Sequence, residues 1–137
     1  MSPPDTSSGN DAGSLVANAS ELEAAPVKLP GATPEGVLAT LLNLDGGRGL
    51  TASIIEIKPG ATIPAHLHRN GAEAHYVLEG ELIDAGRRLG PGAYLTHAKG
   101  VPHGPHSSEA GCKVLTVLEN ADTATESDFH LVEKGQG

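Results

Sequence analysis

Six of the seven histidines in this 137-residue chain lie between residues 66 and 106, namely His66, His68, His75, His97, His103 and His106. His66 and His68 are two residues apart, so in a β-strand both imidazoles project from the same face. Glu73 follows an Arg-Asn-Gly turn, and we expect an antiparallel return to bring its carboxylate beside these imidazoles. His103 follows a later reversal and can approach from another strand. Three imidazoles and one carboxylate suit a divalent first-row transition metal.

An isolated His-x-His pair is more often a chance arrangement on a solvent-facing strand. Here the pair belongs to a longer pattern with a glycine at each end, Gly60-x5-His66-x-His68-x4-Glu73-x6-Gly80. This pattern resembles the first motif of the cupin superfamily, G-x5-H-x-H-x3,4-E-x6-G, at every fixed position. The resemblance makes a functional pair the better interpretation.

The second cupin motif, G-x5-P-x-G-x2-H-x3-N, is matched less fully. Gly92, Gly100 and His103 occupy their expected positions, whereas Ala98 replaces the proline and Ser107 replaces the asparagine. The resemblance extends over roughly residues 30–119. Within the superfamily the chain is most similar to the subgroup of the ChrR-type cupin domain and of the dioxygenases that cleave dihydroxyacetophenone or acetylacetone.

The resemblance implies one metal ion inside a double-stranded β-helix barrel, held by His66, His68, Glu73 and His103. Some related oxygenases use three histidines and keep the carboxylate out of direct coordination, so direct ligation by Glu73 stays open. Fe(II) is the metal that we favour, with Zn, Mn or Ni as alternatives.

Short apolar stretches separated by turn signals predict the elements that must position these residues. We predict an all-β jelly roll with strands at 36–43, 50–57, 62–68, 74–78, 81–84, 87–89, 93–96 and 112–119. Asp84-Ala85-Gly86 predicts a tight hairpin. Residues 1–25 are expected to be a flexible segment, with a short helix or strand at 15–25 and Ser20 as a candidate N-cap. Residues 26–137 form a single cupin domain in this interpretation.

The other histidines and the single cysteine have several candidate roles. His75 shares the inward face of the motif glutamate and is a candidate catalytic proton shuttle, or simply an interior side chain that fills space. His106 is a candidate catalytic residue at the pocket mouth and the natural rival of the second-motif histidine as a ligand. We expect His97 to cap a strand end on the surface and His130 to be solvated in an acidic tail. Cys112 is expected to pack in the interior.

The pocket is expected to be small and aliphatic. Ile54, Ile57, Val77 and Ile83 are the candidate wall residues, and only three aromatic residues occur in the whole chain. In the last predicted strand, alternation places Cys112, Val114, Thr116 and Leu118 on one face. Such a lining suits a small substrate.

Composition excludes several functions. The net charge of −8 is concentrated at the two ends of the chain, and no basic stripe is present, which argues against nucleic-acid binding. No apolar run reaches the length of a membrane span, and no secretion signal opens the sequence, so we expect a cytoplasmic protein. One cysteine cannot form an internal disulfide.

Three functions follow from the resemblance. The first is an Fe(II)-dependent dioxygenase that uses O2 to cleave a small enolisable carbonyl substrate. The second is a non-redox metal-dependent isomerase, lyase or cyclase. The third is a metal-binding sensor or small-molecule-binding module, although only about 25 polar residues precede the cupin where ChrR-like proteins have a separate zinc-binding domain. We expect a homodimer, because a second subunit commonly covers jelly-roll sheet edges, with residues 15–35 as the covering element.

Overall fold

A computed structural model of the protein describes residues 13–44, 46–119 and 128–132. Its strands are β1 (Ala25–Pro26), β2 (Val37–Asn43), β3 (Leu50–Ile57), β4 (Thr62–Ile63), β5 (His66–Leu67), β6 (Glu73–Gly80), β7 (Leu82–Asp84), β8 (Arg87–Leu89), β9 (Tyr94–His97), β10 (His106–Ser107), β11 (Cys112–Glu119) and β12 (His130–Leu131). Short 3-10 helices at Ala19–Glu21 and Gly46–Arg48 are the only helical elements in these ranges. The all-β prediction is confirmed. Within the same ranges, no helix has the length and apolar character needed to span a membrane.

The strands form three sheets in which every neighbouring pair is antiparallel. The large sheet has the order β1-β2-β3-β11-β6-β9, and a four-stranded sheet has the order β4-β10-β7-β8. The third sheet pairs β12 with β5. Neighbours distant in sequence, such as β3 and β11, show the crossovers of a jelly roll.

The predicted strand at 62–68 is divided in two by Pro64 and Ala65. Proline has no backbone N–H and cannot continue a hydrogen-bonded ladder, so β4 ends before it. β4 then pairs with β10, whereas β5 pairs with β12. We also expected the strand that carries Glu73 to pair with the strand that carries the His-x-His pair, and this is wrong. The Glu73 strand, β6, belongs to the large sheet and pairs with β11 and β9. The unpredicted strands β1, β10 and β12 have two residues each, too few for alternation to show.

The predicted hairpin at 84–86 is confirmed. Ala85 and Gly86 have φ values of 48° and 85° and connect β7 to β8, as a tight two-residue turn requires.

At the N-terminal side, the 3-10 helix Ala19–Glu21 is capped by Asn18 and not by Ser20. The Asn18 side-chain oxygen accepts hydrogen bonds from the Ser20 N–H at 3.0 Å and from its hydroxyl at 2.7 Å. Residues 1–12 of the expected flexible segment lie outside the described residues.

The apolar core joins the two larger sheets. Its buried members are Val37, Ile57, Ala61, Ile63, Val77, Leu82, Cys112 and Val114. Cys112 is buried as predicted, and Thr116 is buried on the same face of β11. Alternate side chains of β11 therefore face the interior, as the sequence pattern predicts, and form one of its walls.

Gly80, the closing glycine of the first motif, is required by close packing as well as by its backbone conformation. Its φ is +75°, and a Cβ at this position would lie 2.1 Å from the Gly111 carbonyl oxygen. The register between β6 and β11 shifts between Lys113 and Val114, directly beside this contact. Only glycine allows the two backbones to approach so closely here.

Candidate metal centre

Four buried side chains meet at one point inside the barrel. His66, His68, Glu73 and His103 are each at most 7% exposed, and each offers a ligand atom within 4.8 Å of the others. His66 and His103 lie side by side because their backbones form a reciprocal pair of hydrogen bonds of 2.9 and 2.8 Å. His68 follows directly after β5, and Glu73 begins β6 in the large sheet. The structure thus brings together the four residues predicted from the motif.

The three imidazoles of this group are held in one tautomer by backbone carbonyl oxygens. A carbonyl oxygen only accepts, so each Nδ1 carries the hydrogen and donates it: His66 to Pro64 at 2.8 Å, His68 to Asp128 at 2.6 Å and His103 to Val101 at 3.1 Å. Each Nε2 is left with a lone pair for the centre of the group. Metal-ligating histidines are oriented in this way.

The distances at the centre fit a cation better than a hydrogen-bond network. Glu73 Oε2 lies 3.1 Å from His68 Nε2, and Glu73 Oε1 lies 3.0 Å from His103 Nε2. Neither Nε2 has a correctly directed hydrogen-bond partner among the described residues. Adjacent ligands around an octahedral ion with bonds of about 2.1 Å lie about 3 Å apart. The donor set present here therefore fits a divalent transition-metal ion.

The charges of the group also suit a cation. Burial lowers the pKa of His66 to about 4, so its imidazole is neutral. Burial alone would raise the pKa of Glu73, but the imidazoles of His103, His68 and His75 outweigh it and hold this pKa well below its usual range. The carboxylate is therefore ionised. Burial opposes a charged His68, but the Glu73 carboxylate outweighs it and raises the pKa of His68, so the carboxylate favours a positive charge at this point, whether a proton or a metal ion.

His75 contacts the centre through Glu73. Its Nε2 lies 2.8 Å from Glu73 Oε1 and its Nδ1 lies 3.0 Å from the Thr116 hydroxyl. Both nitrogens are engaged, and the ring is buried on the inward face as predicted. Because the ionised carboxylate only accepts, His75 donates its Nε2 hydrogen to Glu73 and orients it, while the His75 Nδ1 accepts a hydrogen bond from the Thr116 hydroxyl.

His106 lines the cavity but lies outside the group of four. It is buried, and its Nε2 is 3.0 Å from Asp84 Oδ1. His103, and not His106, supplies the nitrogen beside Glu73. Asp84 received no functional role from the sequence, where it signalled only a hairpin.

The surface position expected for His97 is wrong. The residue is half-buried, and its ring stacks on His103 with centroids 4.2 Å apart and planes at 6°. Burial lowers its pKa to about 4. The reason is the register of β9, in which His97 is directly opposite Glu73 and therefore on the same face of the sheet. The predicted strand stopped one residue earlier, at 96.

The C-terminal segment 128–132 supports the site. His130, expected to be solvated, keeps a side chain that is 34% exposed, but it also lies in a strand and contacts Asp128. His130 lies in β12 opposite Leu67, and its Nε2 is 3.1 Å from Asp128 Oδ1. The Asp128 carboxylate accepts hydrogen bonds from two backbone N–H groups of the turn after β5, and its carbonyl oxygen accepts from His68. Phe129 stacks on His66 at 4.1 Å. The alternation of Phe129 and Leu131 with polar residues is the signal that could have revealed a strand here.

A cavity of about 180 Å³ opens beside the four ligands. Its walls are mainly aliphatic and include Leu29, Ile55, Ile57, Ile63, Leu82 and Phe129. Of the predicted wall residues, Ile57 lines the cavity, whereas Ile54, Val77 and Ile83 do not. Ile54 and Ile57 are three residues apart on one strand and cannot share a face; Ile54 lies instead with Leu78 on the outer face.

A jelly-roll barrel with three histidines and a glutamate converging inside it defines the protein as a cupin. A model of the family described as the ChrR cupin-like domain matches residues 27–122. The chain therefore belongs to the ChrR cupin-like family. A search of curated proteins found no match.

Solved cupin structures share the fold at low sequence identity. The polyketide cyclase RemF from Streptomyces resistomycificus is 23% identical, with a TM-score of 0.63 over 82% of this chain and 87% of that one. KdgF from Halomonas sp. is 20% identical, with a TM-score of 0.63 over 76% and 91%. An acetylacetone dioxygenase from Acinetobacter johnsonii is 15% identical, with a TM-score of 0.60 over 70% and 67%. These similarities establish the fold, not the reaction.

Proposed function

We propose that this protein is a metal-dependent enzyme that acts on a small enolisable carbonyl compound, and that it is a dioxygenase when its metal is Fe(II). The observation that carries this proposal is the convergence of three tautomer-fixed imidazoles and one ionised carboxylate on the wall of an apolar cavity. His66, His68, Glu73 and His103 would hold the ion. A divalent ion there would supply Lewis acidity and, as Fe(II), the capacity to react with O2.

The protein's own residues provide the remaining requirements. The aliphatic walls exclude water and favour an uncharged substrate of few atoms. Because His75 donates its Nε2 hydrogen to Glu73, the nitrogen that can take up a substrate proton is Nδ1. That proton would pass to the Thr116 hydroxyl, which lines the cavity and gives its own hydrogen to Nδ1. We assign His75 to proton transfer, because its ring lines the cavity and it belongs to neither group of possible ligands. His106 also lines the cavity outside the group of four, and we assign it the same role in protein that holds an ion at that group alone.

A second candidate is a non-redox isomerase, lyase or cyclase that uses Zn, Mn or Ni. The same donors bind these ions, and two imidazoles beside the cavity suit reactions that move only protons.

Elemental analysis of protein purified without added metal, followed by an oxygen electrode, tests the proposal. Fe(II)-loaded protein should consume O2 with at least one β-diketone or α-hydroxyketone, and His103→Ala should not. Conversion under argon by Zn- or Mn-loaded protein would instead support the non-redox candidate. Absence of conversion in both atmospheres across a panel of enolisable carbonyl compounds would contradict the proposal.

A further inference from the structure

A second cluster of metal-binding residue types lies beside the first. Asp84 ends β7, His97 ends β9 and His106 begins β10, and their ligand atoms all lie within 4.8 Å of one another. Asp84 and His106 are cross-strand partners in the four-stranded sheet. Asp84 is fully buried and His106 is 4% exposed, so two of the three side chains are shielded from bulk water.

Each member of this cluster points an unpartnered polar atom at the same place. Asp84 Oδ1, His97 Nε2 and His106 Nε2 are all buried and have no hydrogen-bond partner among the described residues. Oδ1 and the His106 Nε2 are 3.0 Å apart, but their direction does not suit a hydrogen bond. A buried polar group without a partner costs about 1–3 kcal/mol. Three such atoms in one place indicate that they share a ligand.

The same geometrical signature marks two imidazoles of the metal centre, those of His68 and His103. There too, imidazole Nε2 atoms lie 3.0–3.1 Å from carboxylate oxygens without hydrogen-bond direction. Two imidazole nitrogens and one carboxylate oxygen form a common ligand set for Fe(II) and Zn(II).

Arg87 carries the positive charge that opposes binding of a cation at this cluster. Its guanidinium pairs with the other carboxylate oxygen of Asp84, Oδ2. The Arg87 side chain is 61% exposed, so water screens much of its charge. Oδ1 remains free to face the two imidazoles.

We propose that Asp84, His97 and His106 form a second binding site for a divalent transition-metal ion, adjacent to the metal centre. The His103 ring lies between the two sites, stacked on His97 at 4.2 Å and 5.8 Å from the His106 ring. Because two cations so close repel each other, and because Arg87 adds positive charge, the second site binds more weakly than the first. An ordered water in place of the ion is the alternative that the experiment must exclude.

Metal stoichiometry tests this site independently of catalysis. Chelator-stripped full-length protein would be titrated with Co²⁺ by visible absorption and with Zn²⁺ by equilibrium dialysis. Wild-type protein should bind two equivalents in a tighter and a weaker phase. Asp84→Asn and His97→Gln should each lose only the weaker phase, and His68→Gln should lose only the tighter one. His130→Gln, a histidine outside both groups, serves as the matched control and should retain both phases.

Two results would overturn the second site. One is binding of a single equivalent by wild-type protein. The other is retention of the weaker phase by both Asp84→Asn and His97→Gln, each checked for a native circular dichroism spectrum. Failure of the metal centre would look different, because His68→Gln would then leave the tighter phase unchanged.

Discussion

His75 is the histidine whose two nitrogens connect the metal centre to the wall of the barrel. Because it contacts Glu73 and Thr116 and lies outside the ligand group, its loss should disturb proton transfer more than metal binding. We predict that His75→Ala retains one tightly bound metal ion and lowers kcat about 100-fold. Elemental analysis and steady-state kinetics on the same preparation measure both effects. Loss of the metal together with the activity would contradict this separation of roles.

His66 and His103 should behave in the opposite way. Each presents an Nε2 lone pair to the centre, and their backbones are joined by two hydrogen bonds. We predict that His66→Ala and His103→Ala each abolish tight metal binding while the barrel still folds. Isothermal titration with Zn²⁺ measures the binding, and circular dichroism checks the fold. Wild-type affinity in either variant would remove that residue from the ligand set.

At the scale of elements, the segment 128–132 acts on the metal centre without supplying a ligand side chain. The carbonyl oxygen of Asp128 holds the His68 ring, and its carboxylate accepts the N–H groups of Arg69 and Asn70, both at 2.8 Å. Asp128→Ala keeps the carbonyl oxygen but removes the carboxylate that fixes its position. We predict that it weakens metal affinity about 10-fold, the low end of the effect of losing a partner that orients a ligand. A competition titration against a chromophoric chelator measures this change. His130→Ala is the control and should have a smaller effect.

Acid should weaken this same anchor. Burial tends to raise the pKa of Asp128, but the N–H groups of Arg69 and Asn70 outweigh it and lower the pKa below its ordinary 3.8. A lowered carboxyl pKa stabilises the folded state above 3.8, and this contribution is lost as the pH falls through the folded-state value. We predict a smaller acid-induced loss of unfolding free energy in Asp128→Asn than in wild type. Urea unfolding of metal-free protein at a series of pH values, from about 6 down to about 3, measures the loss of unfolding free energy in both proteins.

The two glycines at the ends of the first motif provide a matched pair for testing the close contact between β6 and β11 at Gly80. Gly60 and Gly80 have nearly equal φ values, +78° and +75°, but an added Cβ meets nothing within 4 Å at Gly60 and meets the Gly111 oxygen at 2.1 Å at Gly80. We predict that Gly60→Ala costs about 1 kcal/mol of unfolding free energy, from backbone strain alone. Gly80→Ala should cost about 1–3 kcal/mol more, because the strands must separate. Equal costs in urea unfolding would show that the close contact is unimportant.

At the scale of the whole molecule, the homodimer stays a prediction, and besides residues 15–35 the outer face of the large sheet is a surface that a second subunit could cover. The strand registers place Thr40, Ile54, Leu115, Tyr76 and Tyr94 in one continuous row across five strands. Tyr76 and Tyr94 are 44% and 67% exposed. We predict a mass twice 13.9 kDa by light scattering, and a shift towards the monomer in Tyr94→Glu. A monomeric wild-type protein would contradict this prediction.

The sequence by itself determined the long strands, the β7–β8 hairpin and the four residues of the metal centre. These features depend on local pattern: period-2 alternation, turn residues with positive φ, and a ligand spacing set within two short motifs. Cys112 and Thr116 were placed on the interior face for the same reason.

Only the tertiary structure decided the positions of His97, His130, Phe129 and Asp84. Each is brought to the site by strand pairing between segments far apart in the chain: β9 with β6, β12 with β5, and β10 with β7. The choice of Ile55 over Ile54 as a cavity wall also depended on which face of β3 turned inward. No local pattern specifies such pairings, because register between distant strands is set by the packing of the whole barrel.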